Sequence, residues 1–206
     1  MVNASDIIKT FDLQRSNVLT IFPYGSRVYK TANEKSDYDF IVIFKNDTVK
    51  DEFAITKNNL SIHCYNESSF QDLLDRHKIS ALECYFLPNE LILLQDKKFN
   101  FSLHIDKLRL SISEKSSHSF VKAKKKFEVE KDRDIYLAKK SLFHSLRIID
   151  FGTQIASKKK IVDYTSSNHL WEDIFTDPNE SWDPYKEKYQ PIFNSLMTGF
   201  RKLAPK

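Results

Sequence analysis

The 206-residue chain is poor in the residues that punctuate and crosslink a fold, with three glycines, six prolines and two cysteines. Two isolated cysteines, Cys64 and Cys84, exclude a disulfide framework and a CxxC pair, and they predict a reducing, cytoplasmic setting. No apolar run approaches the roughly 20 residues that a helical membrane span requires. The opening "MVNASDIIKTFDLQRSN" lacks the basic-then-apolar layout of a secretion signal, so neither export nor a membrane role is expected. The six histidines lack the paired spacing of a zinc site, and no Ser-His-Asp or Cys-His arrangement is recognisable.

Net charge is also small, at +4, but it is unevenly placed. Residues 1–105 carry 12 Lys and Arg against 14 Asp and Glu, whereas residues 106–206 carry 20 against 14. The second half is therefore where an anion is expected to dock, against the plainer reading that lysines solvate long helices.

A hydrophobic content of 41% suffices for a real core. Residues 5–15 have helical apolar spacing, and "NVLTIFPYG" (17–25) reads as a strand closed by Pro23 and Gly25. "DYDFIVIF" (37–44) reads as a strand buried on both faces, and "FAI" and "LSIHCY" as a hairpin. "QDLLDRHKISALECYFL" predicts one helix stopped by Pro88, with the short apolar piece "LILL" after it. From about residue 101 the pattern changes to lysine-rich helices near 103–129, 133–157, 168–175 and 184–203. The expected fold is α+β: a mixed β-sheet domain with flanking helices over residues 1–98, then a helical, basic domain over 99–206.

In so glycine-poor a chain, the stretch "YGSRVYKTANEKSDYDFIVIF" (24–44) is informative. Side chains alternate along a strand, so Asp37 and Asp39 share one face while Tyr38, Phe40 and Val42 share the other. Two adjacent carboxylates repel unless a cation lies between them, and oxygen ligands favour Mg²⁺ or Mn²⁺. Gly25 and Ser26 are expected to open a helix running to about Lys30, with free N–H groups and the serine hydroxyl available to phosphate oxygens. A phosphate cradle facing a metal site is apparatus for in-line transfer at phosphorus.

Strand, Gly-Ser, short helix, then Ser-Asp-x-Asp leading a hydrophobic strand resembles the signature of the DNA polymerase β-like nucleotidyltransferase superfamily, minimal type. Gly25, Ser26, Asp37 and Asp39 match position by position, Ser36 also fits, and the resemblance covers about residues 5–65. It implies a metal-dependent enzyme, using Mg²⁺ or Mn²⁺, that moves an NMP from an NTP to an acceptor hydroxyl and releases pyrophosphate. Asp37 and Asp39 would be catalytic and hold the metal, and Gly25 and Ser26 would hold the β- and γ-phosphates. The superfamily usually adds a third carboxylate from a neighbouring strand, but "LSIHCY" carries Ser61 and His63 there. Glu52 and Glu83 are the alternatives, and a non-catalytic nucleotide or RNA binder stays open beside transfer to a small molecule or protein hydroxyl.

In the basic half, Lys140, His144 and Arg147 fall on one helix face at i, i+4 and i+7. The resemblance makes that face the expected holder of the triphosphate and base. "FVKAKKKF" (120–127) offers four lysines with flanking phenylalanines for phosphates or an RNA backbone, and the basic half favours RNA as acceptor. Trp171 and Trp182 are expected to pack rather than stack on bases.

Overall fold

A computed structural model describes residues 2–46, 48 and 52–206. Two compact units, residues 1–102 and 103–206, divide the chain.

The first unit is a five-stranded mixed sheet in the order β3-β4-β2-β1-β5. Its strands are β1 (Val18–Tyr24), β2 (Tyr38–Phe44), β3 (Phe53–Lys57), β4 (Leu60–Asn66) and β5 (Leu94–Gln95). Strand β2 lies between β1, antiparallel to it, and β4, parallel to it. Central placement explains its run of buried residues from Phe40 to Phe44. The β3–β4 hairpin turns on Asn58 and Asn59, both with positive φ (51° and 61°). Paired left-handed residues form the two-residue turn whose twist suits a hairpin, and asparagine tolerates that conformation. Both β3 and β4 are thus longer than "FAI" and the loop "TKNN" suggested.

One sheet face packs Phe40, Val42, Phe44, Leu60, Ile62 and Cys64 with Ile7 of helix α1 (Ala4–Thr10). Helix α1 is shorter than the 5–15 expected. It is capped by Asn3, whose side chain accepts from the Asp6 N–H while the Asp6 carboxylate accepts from the Asn3 N–H. After Thr10 the chain turns, with Asp12 at φ 53°. The opposite face carries Phe22, stacked at 5.8 Å on Phe70 of helix α2 (Glu67–Asp75).

The single helix expected after residue 70 is two helices, α2 and α3 (Ile79–Tyr85). The break is at His77, φ 56°, which is fully buried with its ring 4.9 Å from Phe101 and its Nδ1 3.2 Å from the Asp75 carbonyl oxygen. Packing of that ring against a distant aromatic overrides the unbroken helical periodicity around it. Both cysteines are buried and free, and burial pushes the Cys64 thiol up to about 12, so neither is poised as a nucleophile.

The second unit is helical: α4 (Ile105–Glu128), α5 (Ile135–Lys158), α6 (Asn168–Thr176) and α7 (Trp182–Leu203). Helices α4 and α5 approach closely where Gly152 meets Ile112. A Cβ at Gly152 would lie 2.9 Å from two side-chain carbons of Ile112. Gly152→Ala is therefore expected to destabilise this unit by about 1–3 kcal/mol, the range for overpacking. Chemical denaturation monitored by circular dichroism checks it, and an unchanged midpoint would mean that Ile112 yields freely. Aromatics fill the rest: Phe120 and Phe127 pack on Trp182, Phe127 stacks on Tyr185 at 4.8 Å, and Trp171 stacks on Phe175 at 3.9 Å.

Candidate active site

The register of the sheet brings Gly25 and Asp39 together. Tyr24, the last residue of β1, pairs with Asp39 on β2, so the next residue, Gly25, turns across the Asp39 side chain. Gly25 has φ +78°, and a Cβ there would sit 3.1 Å from the Asp39 carboxyl carbon and closer still to its Oδ2. Only glycine permits both that backbone and that approach. Phe40 and Val42 belong to the opposite core, so Asp39 projects from the other face. Asp37 stands one residue ahead of β2. Both aspartates are half-buried.

The helix expected from Gly25 to Lys30 is instead one 3₁₀ turn, Gly25–Arg27, followed by a tight bend. The Val28 and Tyr29 N–H groups both donate to the Gly25 carbonyl (3.0 and 3.3 Å), and Thr31 N–H donates to Ser26 (2.9 Å). Lys30 stops further winding with φ 59°.

Sequence reasoning missed Arg27. Its Nε donates to the Asp37 carbonyl (3.1 Å), its NH2 group to the Ser36 carbonyl (2.6 Å), and the guanidinium lies 3.5 Å over the Tyr38 ring. Arg27 thereby ties the Gly25–Ser26 turn to the backbone that carries Asp37. An arginine beside a Gly-Ser pair gives no signal from the sequence that its hydrogen bonds go to main-chain carbonyls ten residues on. Ser36 itself holds the approach loop, its Oγ accepting from the Asn33 N–H at 2.9 Å.

The neighbouring strand supplies no acid. Asp39 pairs in register with Ser61, which is buried and 3.0 Å from Thr56 Oγ1, and His63 stands exposed two residues on. Glu52 accepts from the Tyr65 hydroxyl at 2.9 Å, four residues or about 13 Å along β4 from Ser61. Glu83 is buried in α3 and accepts from the Tyr29 hydroxyl. Among the described residues, no three His, Cys, Asp or Glu side chains are grouped as metal ligands. Two half-buried carboxylates still suit Mg²⁺, which commonly takes one or two from protein and the rest of its shell from water and phosphate.

In the helical unit, Lys140 is exposed, but Arg147 is only 5% exposed. Arg147 lies 5.5 and 5.6 Å from the Phe143 and Phe151 rings, and its NH2 group is 2.8 Å from His144 Nδ1. The i, i+4, i+7 spacing places all three on one side of α5, yet the packing turns Arg147 inward behind His144. Asp150 accepts from Ser167 Oγ (3.0 Å), Gln154 Nε2 (3.2 Å) and Ser166. The "FVKAKKKF" phenylalanines are core residues, with Lys122, Lys124 and Lys125 exposed between them and Lys126 paired with Asp132.

Burial holds His144 well below the usual histidine range, and the surrounding cations Arg147, Lys115, Lys122 and Lys140 push it the same way. The unfolded chain protonates this group near pH 6.5 while the native state resists, so acidification through that value favours unfolding. The stabilising contribution is complete above about pH 6.5 and is lost below it, with a slope of at most about 1.4 kcal/mol per pH unit. Wild type is expected to lose more melting temperature between about pH 7 and pH 5 than His144→Gln. Calorimetry across that range checks this, and parallel curves would contradict it.

No match to a curated protein was found for the chain. Among the described residues, no helix is long and apolar enough to cross a membrane. The sequence model of the family described as "Polymerase beta, Nucleotidyltransferase" matches residues 5–98, a span that contains β1 to β5, the Gly25 turn and both aspartates. Domains of this type generally use divalent metals. Over residues 5–98, somewhat under half of its length, the chain is similar to the nucleotidyltransferase domain of the polymerase β family.

Proposed function

We propose that the protein transfers an NMP from an NTP to an acceptor hydroxyl and releases pyrophosphate, with RNA as the acceptor. The observation that carries this reading is the contact of the Gly25 backbone with the Asp39 carboxylate. It brings the Gly25 turn directly against the Asp39 carboxylate, which supports reading the two as parts of one site. N–H groups of the turn and the Ser26 hydroxyl hold β- and γ-phosphate oxygens, and Asp37 and Asp39 hold Mg²⁺ or Mn²⁺. A bound metal ion supplies neutralisation of the phosphoryl oxygens and acidifies an attacking hydroxyl. The acceptor hydroxyl gives up its proton to solvent as its oxygen attacks the α-phosphorus, the bond to the β-phosphate oxygen breaks, and pyrophosphate leaves with that electron pair. Arg27 keeps the turn and the Asp37 segment in fixed register throughout, the preorganisation in-line transfer needs.

In the helical unit, Lys140 with Lys115 and Lys122 around His144 offers charge to phosphates. Arg147 supports that face from behind by holding the His144 ring. Exposed Lys122, Lys124 and Lys125 extend it for an RNA backbone.

The test is incubation with labelled NTPs, Mg²⁺ or Mn²⁺, and RNA, small-molecule and protein acceptors. Label on RNA, with RNA affinity that falls steeply as salt rises, supports the full reading. Label on another acceptor replaces RNA alone, and absence of any transfer rejects the enzyme.

A second reading has its own observation: Ser61 occupies the position in register with Asp39 where an acid would complete the metal shell. The protein would then bind nucleotide or RNA without turnover. NTP binding in the presence of Mn²⁺, with no pyrophosphate released over long incubation, distinguishes it.

A further inference from the structure

We propose that Glu83 is a positioning residue for the Gly25–Arg27 turn, acting through Tyr29, and not a ligand of the metal. The inference rests on the nucleotidyl-transfer reading for its consequence but not for its geometry.

Glu83 is 2% exposed and sits in α3 among buried Ile79, Ala81, Leu82 and Cys84. A carboxyl group in such surroundings is costly unless it is hydrogen-bonded, and the Tyr29 hydroxyl donates to its Oε2. Tyr29 is itself 3% exposed. It lies two residues past the turn: its N–H donates to the Gly25 carbonyl, and its ring meets that of Tyr24 edge-on at 6.3 Å. The side chain of Tyr29 thus runs from the turn into the helix layer, and Glu83 fixes its far end.

The bend is short, and its backbone bonds run from Val28 and Tyr29 to Gly25 and from Thr31 to Ser26. It is a single 3₁₀ turn ended by left-handed Lys30, and short turns of this kind do not hold their shape by backbone bonding alone. Donors aimed at phosphate are effective only when they are already in place, because ordering them on binding weakens affinity. On the other side Arg27 secures the turn to Ser36 and Asp37. The turn is therefore held at two points, by Arg27 toward the carboxylates and by Tyr29 toward α3.

The test compares wild type with Tyr29→Phe, Glu83→Gln, Glu83→Leu and the Tyr29→Phe/Glu83→Leu double variant. Three quantities are read: Mn²⁺ affinity without nucleotide, by paramagnetic resonance; ATP affinity with Mg²⁺, by calorimetry; and amide exchange over residues 25–31. Tyr29→Phe and Glu83→Leu are expected to speed exchange and weaken ATP binding about tenfold, the size of one lost hydrogen bond, and the double variant no further. Mn²⁺ affinity should stay within about twofold of wild type, because neither side chain touches the ion, and Glu83→Gln, which keeps an acceptor, should lie between.

A Glu83→Gln protein that loses Mn²⁺ affinity as Asp39→Asn does would overturn the proposal by making Glu83 a ligand. Unchanged exchange over residues 25–31 in Tyr29→Phe would overturn it equally. If Glu83→Leu does not fold, Tyr29→Phe, which removes one oxygen, decides. A wild-type protein that binds no ATP defeats the nucleotidyl-transfer reading instead, and the tie between Tyr29 and Glu83 is then decided by exchange alone.

Discussion

Asp39→Asn is expected to lower nucleotidyl transfer by about 10²–10⁴-fold, since metal-borne charge stabilisation is worth several kcal/mol and each 1.36 kcal/mol is tenfold. The substitution keeps the shape of the side chain and leaves Phe40, Val42 and Phe44 packed in the opposite core, so the melting temperature should change little. Asparagine retains one carbonyl oxygen but loses the negative charge that offsets a divalent cation, so Mn²⁺ affinity should fall in parallel. Transfer kinetics, melting and Mn²⁺ titration on one preparation test all three. Full transfer activity in Asp39→Asn would remove the carboxylate pair from the reaction.

Gly25→Ala is expected to impair both folding and function. A residue with a side chain held at φ +78° costs about 1–3 kcal/mol in backbone strain, and the added methyl has no room against Asp39. Either the turn or the carboxylate must move, and each carries part of the proposed site. Transfer should drop at least as far as in Asp39→Asn, and the melting temperature should fall, in contrast to that variant. Soluble Gly25→Ala protein with normal stability and activity would show that neither the left-handed turn nor its approach to Asp39 matters.

The two effects together separate backbone from charge. Asp39→Asn alters charge within an intact turn, whereas Gly25→Ala alters the turn with its charges intact. Loss of ATP affinity in Gly25→Ala, beside retained ATP affinity in Asp39→Asn without metal, would locate phosphate holding in the turn.

Much of this fold was legible because it depends on local pattern. The apolar run of β2 reflects its central place in the sheet, the lysine-rich periodicity marks α4 and α5, and Asn58-Asn59 is its own turn signal. The helix break at His77 was not legible, since the residues on each side continue a helical spacing and the cause lies at Phe101. Glu83 was legible only as an alternative third carboxylate, because its bond to Tyr29 spans 54 positions of sequence.

The sequence by itself determined the α+β order of elements and set Gly25, Ser26, Asp37 and Asp39 close together along the chain. These rest on strand and helix periods and on residue types whose chemistry is fixed within twenty positions. Tertiary structure alone decided that Gly25 lies against Asp39, because this requires the Tyr24–Asp39 register of an antiparallel pair. It also decided that Ser61 stands beside Asp39 where an acid was sought, and that Arg147 turns from a cationic face toward Phe143 and Phe151. Helical spacing assigns a side chain to one side of its own helix. Whether that side meets water or an aromatic ring depends on what the rest of the chain packs against it.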